Sequence, residues 1–148
     1  MGEVADTLST QIREAMKAGD RTRLATLRML SASVKNREVE VGHELSEEEF
    51  VEVVGREVKR RKEAAEAYRD AQRPELEERE LAEQSILETY LPEQLPEDEL
   101  NKVIDEAITA TGASGPKEVG KVMAHVMGKY KGRVDGSVVN RLARERLG

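Results

Sequence analysis

The spacing of apolar and polar positions reads as helix along nearly all of the chain. Leu8, Ile12, Ala15 and Met16 recur three and four apart, which predicts a first helix from about Val4 to Ala18 that Gly19 ends. Asp20 is placed to cap a second helix. Along it Leu24, Leu27, Ser31, Val34, Glu38 and Val41 form the expected inward stripe, and Gly42-His43 closes it. Ser46 followed by Glu49 is a capping-box signature. It opens a third helix, about Glu47 to Gln72, with Phe50, Val54, Val58, Arg61, Ala65 and Tyr68 facing inward. Pro74 suits the first turn of a fourth helix that carries Leu76, Leu81, Ile86, Leu87 and Tyr90.

The run Leu91-Pro92-Glu93-Gln94-Leu95-Pro96 interrupts this pattern. Two prolines four apart do not fit inside one helix, because each removes a backbone donor and clashes with the preceding turn. Beyond it a fifth helix is predicted from about Glu97 to Ala110, on Leu100, Val103, Ile104, Ala107 and Ile108. A turn follows at Thr111–Gly115, and Pro116 starts a sixth helix with Val119, Val122, Met123, Val126 and Met127 inside. Gly128 to Gly136 reads as a basic, glycine-rich loop, and a last helix runs from about Ser137 to Leu147 on Val138, Val139, Leu142 and Leu147. No alternating strand pattern and no internal repeat is visible. The expected fold is therefore all-α: about seven helices in two small units, a four-helix unit over residues 1–91 and a three-helix unit over 92–148.

Composition agrees with helices that carry heavily charged outer faces: 38% of residues are hydrophobic and 36% charged. With one Phe, three Tyr and no Trp, the core must be aliphatic. There is no cysteine, which removes disulfides, thiolate nucleophiles and cysteine-ligated zinc. The longest apolar run is Val122-Met123-Ala124, too short for a membrane span. The acidic N-terminus lacks an apolar signal core, and a cytoplasmic location is expected.

The net charge of −6 conceals an asymmetry. Residues 117–148 hold eight Lys and Arg against three Asp and Glu, while residues 1–116 hold sixteen against twenty-seven. In the basic tail, Lys117 and Lys121 are four apart and are expected on one helical face. Lys129, Lys131 and Arg133 alternate through a loop punctuated by Gly128, Gly132 and Gly136, and Arg141 and Arg144 flank the last helix. Backbone amides and lysines of such a loop can both reach phosphate oxygens, and Tyr130 can stack on a base or ribose. Asp135 has a plainer use, as part of a turn and cap before the last helix. The tail lysines also read as solubilising charge. A second basic run, Arg56, Lys59, Arg60, Arg61 and Lys62, lies one turn from Glu57, Glu63 and Glu66, and is read as a salt-bridged, solvated helix face.

Catalytic motifs do not hold up. Gly115-Pro116-Lys117-Glu118-Val119-Gly120-Lys121 matches most of a phosphate-binding loop, but Val122 stands where a magnesium-holding hydroxyl is needed. Gly120 reads instead as a glycine that lets two helices approach. His43 and His125 are far apart, with no metal-binding or nucleophile-elbow spacing around either. The acidic runs Glu47-Glu48-Glu49 and Glu97-Asp98-Glu99 fall in first turns, where they complement the helix dipole. No catalytic residue, metal site or cofactor is expected.

Several segments together resemble the YqeY family. They are Leu91-Pro92-Glu93-Gln94-Leu95, Val119-Gly120-Lys121-Val122-Met123 and the run Met127 to Gly136, with Arg28 to Asn36 and Val58 to Ala64 in the N-terminal half. That family shares its domain with the tail of the B subunit of the tRNA-dependent amidotransferase. This enzyme amidates Glu-tRNA(Gln) or Asp-tRNA(Asn) with glutamine as nitrogen donor. The resemblance implies a two-unit helical fold, a surface used on tRNA, and a family label of carbon–nitrogen ligase with glutamine as amido donor. It points to Gly120, Lys121, Lys129, Gly132 and Asn140 as RNA-facing or motif-structural positions. With the tail composition, the candidate RNA-binding set is Lys117, Lys121, Lys129, Lys131, Arg133, Asn140 and Arg141, and the motif glycines are Gly120, Gly132 and Gly136. Pro96 and Gly128 depart from the family pattern, where many relatives have Ser or Thr and Pro respectively. The expected role is an accessory module, with tRNA and an amidotransferase or aminoacyl-tRNA synthetase as partners. The alternative is a protein-interaction adaptor that does not bind RNA.

Overall fold

The computed structural model describes residues 2–148. Among the described residues there are seven α-helices, one 3-10 turn and no strand: α1 (Glu3–Ala18), α2 (Arg21–Val41), α3 (Glu47–Asp70), α4 (Pro74–Glu88), α5 (Glu97–Thr111), the 3-10 turn (Pro116–Glu118), α6 (Val119–Lys129) and α7 (Gly136–Leu147). The chain divides into two compact units, Met1–Leu91 and Pro92–Gly148. No helix among the described residues is long and apolar enough to cross a membrane.

Side-chain caps set three of the helix starts. The Asp20 carboxylate accepts from the Arg23 amide at 3.1 Å and so satisfies one of the four orphan donors of α2. Ser46 and Glu49 form a reciprocal capping box at α3, with the Glu49 amide donating to Ser46 Oγ at 3.2 Å and the Ser46 amide to Glu49 Oε1 at 3.0 Å. Asp135 caps α7 through the Ser137 amide. Pro116 does not open an α-helix directly: it starts the 3-10 turn, and α6 proper begins at Val119. Gln72, expected at the end of α3, instead lies beyond it at φ 58°, in the reversal that leads to α4.

The first unit is organised around Leu8, Leu27, Leu30, Val34, Val54 and Leu87, all buried, with Phe50 and Tyr90 packed against them. Each buried leucine contributes roughly 2 kcal/mol of transfer free energy. Phe50 and Tyr90 meet edge to face, centroids 5.9 Å apart. The Tyr90 hydroxyl donates to Gln11, and burial pushes its phenol pKa up. The buried face of α2 differs from the expected stripe. It comprises Thr26, Leu27, Leu30 and Val34, while Ser31 and Glu38 sit at its edge. Thr26 can be buried because its hydroxyl donates to the Thr22 carbonyl at 2.8 Å. Met16 is 53% exposed rather than inward, and its sulfur accepts a contact from the Arg28 guanidinium at 3.8 Å.

The inner face of α4 also departs from expectation. Leu76 and Leu81 are exposed, and in their place Glu77 and Glu83 turn toward α3. Glu77 pairs with Arg69 at 2.7 Å and Glu83 with Arg61 at 3.6 Å. The α3–α4 hairpin is thus held by charge on one side and by Leu87 at its end. Deeper in, the Glu57 side chain is only 6% exposed. Its Oε1 accepts from Ser33 Oγ at 3.1 Å and Arg60 Nη1 at 3.3 Å, and its Oε2 from Arg61 Nη1 at 2.5 Å. A buried carboxylate is tolerated only with such partners.

The second unit packs Leu100, Ile104 and Ala107 of α5 against Val122 and Val126 of α6 and Val139, Leu142 and Ala143 of α7. Gly120 does not permit a close approach: it is exposed, and a Cβ there would meet nothing within 4 Å.

Candidate nucleic-acid interface

The Pro92–Gly148 unit carries the whole candidate set, and the loop after α6 is its best-defined part. Gly128 and Lys129, expected in the loop, form the last turn of α6, so the loop proper is residues 130–135. The Arg133 amide donates back to the Tyr130 carbonyl at 2.9 Å, closing a turn that needs Gly132 at φ 77°, a conformation other residues adopt only under strain.

Three hydrogen bonds fasten this turn to the segment before α5. Leu95 N donates to the Arg133 carbonyl at 2.9 Å, Arg133 Nε to the Glu93 carbonyl at 3.0 Å, and Gln94 Nε2 to the Gly132 carbonyl at 2.5 Å. In the sequence the Leu91–Leu95 segment reads as a boundary and as part of the family resemblance. Its second use, anchoring the loop, left no signal in periodicity, because all three bonds involve backbone carbonyls 38 to 40 residues away in sequence for the side-chain donors.

Around Tyr130 the loop gathers charge. Lys129 Nζ lies 5.7 Å and Arg133 Cζ 6.0 Å from the ring centroid, within cation–π range. The ring also packs partly against the core of the unit. Tyr130 therefore seats two cations and is held in part by the core. Lys131 is exposed between them and has an interaction of its own.

The remaining candidates are dispersed. Lys117 lies in the 3-10 turn and Lys121 in α6, so their spacing does not follow one continuous α-helix. Both are at the opposite end of α6 from Lys129; the eight residues from Lys121 to Lys129 span roughly 12 Å at the helical rise. Lys121 pairs with Glu118 at 3.1 Å, and that hydrogen bond holds the Glu118 carboxyl below its ordinary range. Lys117 is exposed and carries no ion pair among the described residues. Asn140 Oδ1 accepts from Arg144 Nε at 2.8 Å, an intrahelical contact. Arg141 sits 3.7 Å from Glu97 and 3.6 Å from Glu145, exposed on each side. Gly136 is the first residue of α7, and a Cβ there would touch Met127 Cε at 3.7 Å. The structure thus brings together Lys129, Lys131, Gly132 and Arg133, and separates them along α6 from Lys117, Gly120 and Lys121.

The fold and its motifs define an all-helical protein of two small units with a pinned basic loop. The chain belongs to the family described as Yqey-like protein, whose pattern it matches over residues 5–147. It is similar to altered inheritance of mitochondria protein 41, mitochondrial, of Pyrenophora tritici-repentis (strain Pt-1C-BFP), with 26% identity over 148 residues that cover 98% of this chain and 81% of that protein.

Proposed function

We propose that the protein is a tRNA-associated accessory module of the amidotransferase-tail kind, which holds RNA through the Lys129–Arg133 turn and leaves chemistry to a partner enzyme, an amidotransferase or an aminoacyl-tRNA synthetase. The observation that carries this reading is the cationic turn itself. Two cations are seated on Tyr130, Lys131 is exposed between them, and the backbone is fixed by Glu93, Gln94 and Leu95. A pre-positioned turn loses little conformational freedom on meeting a phosphate backbone. Lys121, about two helical turns away, and Lys117 beyond it in the 3-10 turn provide a second point of contact along an extended RNA. We propose the cytoplasm as the site of action; the fungal relative's name places that protein in mitochondria.

The test is a charge reversal, Lys129→Glu with Lys131→Glu, assayed by electrophoretic mobility of tRNA. Each lost phosphate contact weakens binding across sequences and lowers the salt slope by about one. The reading requires at least about tenfold weaker binding at unchanged thermal stability. Equal affinity of the variant and the parent chain would remove the turn from the interface.

A further inference from the structure

Outside the basic loop, the Met1–Leu91 unit has a cleft of about 190 Å³ between α2 and α3. Its lining is Ser33, Asn36, Arg37 and Glu40 from α2, with Val53, Arg56, Glu57 and Arg60 from α3. On each helix these positions run i, i+3, i+4, i+7, which is a single face. Two facing helices ordinarily fill such faces with apolar side chains. Here seven of the eight are polar or charged, and space remains between them.

Charge accounting shows what the cleft lacks. Glu57 is matched from behind by Arg61, whose side chain is only 13% exposed, and Glu40 is matched by Arg37 at 2.8 Å. Arg60 makes one contact with Glu57 at 3.3 Å while its side chain is 72% exposed. Arg56 has no ion pair among the described residues. The rim therefore carries three guanidinium groups against two carboxylates, both already partnered. A solvated ion-pair lattice accounts for Arg37 and Arg60, but it gives no reason for Arg56 or for the open volume.

We infer that this cleft is a binding site for a phosphate-class oxyanion, held by Arg37, Arg56 and Arg60 with the Asn36 amide as a further donor. All three cations are arginines, whose planar forks match tetrahedral oxyanions in a bidentate way that lysine does not. Glu57 also lines the cleft, and its Oε1 is occupied by the Ser33 hydroxyl and Arg60 Nη1. The Ser33–Glu57 hydrogen bond joins α2 to α3 beside Arg56 and Arg60, and Arg61 of α3 pairs with the other carboxylate oxygen. The phosphate comes either from a small free species or from a nucleic-acid backbone, and the same chemistry serves both.

The experiment is a proton–nitrogen NMR titration of the full chain, following arginine Nε–Hε signals and backbone amides at constant ionic strength. One arm adds inorganic phosphate against chloride; the other adds a short single-stranded RNA without terminal phosphates. Saturable movement confined to Arg37, Arg56, Arg60 and the amides of residues 33–37 and 53–60 is the expected result. Movement with inorganic phosphate assigns a free anion, and movement with RNA alone assigns a backbone phosphate. Arg56→Ala, at an exposed position, is expected to weaken binding about tenfold, while Arg79→Ala leaves it unchanged. No saturable movement in either arm, or equal movement at every surface arginine, overturns the site. Signals of residues 129–133 in the same spectra report the loop separately, so the two sites stand or fall independently.

Discussion

Glu57 and Arg61 are joined across one turn of α3, Oε2 to Nη1 at 2.5 Å, with side chains only 6% and 13% exposed. The pair sits where α2, α3 and α4 meet, since Glu57 also accepts from Ser33 of α2 and Arg61 reaches Glu83 of α4. Removing one member leaves the other charge short of a partner in a poorly solvated place. Arg61→Met is expected to cost about 3 kcal/mol, because Glu57 then keeps only Ser33 and the exposed Arg60. Glu57→Gln combined with Arg61→Met is expected to cost less than Arg61→Met alone. Urea unfolding of the set checks this, and strict additivity would show that the pair is not coupled.

The capping box at α3 gives a pH dependence of definite sign. The Ser46 amide, donating to Glu49, holds the Glu49 carboxyl below its ordinary value of 4.5. A lowered folded-state pKa stabilises above the unfolded value, and the contribution disappears as pH falls through the folded value. Glu49→Gln keeps an acceptor but does not titrate, so its stability difference from the parent chain should shrink as the pH is taken below 4.5. A difference that is constant across that range would mean the carboxylate charge is not involved. Separately, Ser46→Ala is expected to cost about 1 kcal/mol at neutral pH.

Exposure separates leucines that look alike in sequence. Leu30 is wholly buried, whereas Leu81 is 41% exposed. Leu30→Ala is expected to cost about 3 kcal/mol through lost transfer free energy and a residual cavity. Leu81→Ala should fall within about 0.5 kcal/mol of the parent chain. Comparable losses at the two positions in chemical denaturation would contradict the packing of α4 described above.

Gly132 should be sensitive although it lies in a loop. Its φ of 77° disfavours any side chain, and its carbonyl receives the Gln94 amide. Gly132→Ala is expected to cost about 1 kcal/mol and to weaken RNA binding with no change of net charge. Retained affinity together with lost stability would show that the pinned turn serves folding alone.

The helices and caps were legible because they rest on local rules: Asp20, Ser46 with Glu49, Pro74 and Asp135 each act on amides or turns within a few residues of themselves. Faces built from charge were not legible. Hydrophobic periodicity picked out Ile86 and Leu87, which pack in the core, but also Leu76 and Leu81, which are exposed; the α4 contacts to α3 that it missed are Glu77 and Glu83, whose value depends on Arg69 and Arg61 of another helix. The α2–α3 cleft is not legible in the sequence for the same reason. Ser33, Asn36 and Arg37 look solvated until Arg56, Glu57 and Arg60 are brought opposite them. In the tail, composition identified the cations but not which of them a fold separates: Lys121 is engaged by Glu118, and Arg133 is a fastener as well as a charge.

The most direct test of the RNA-binding account is fluorescence anisotropy of labelled tRNA titrated with the full chain at several salt concentrations. The account predicts binding whose logarithmic affinity falls linearly with the logarithm of salt, with a slope that corresponds to several neutralised phosphates and that drops by about two in the Lys129→Glu, Lys131→Glu double variant. Failure of tRNA and of an unrelated RNA to bind at low salt would contradict it, and the basic turn would then have to be read as a surface for a protein partner.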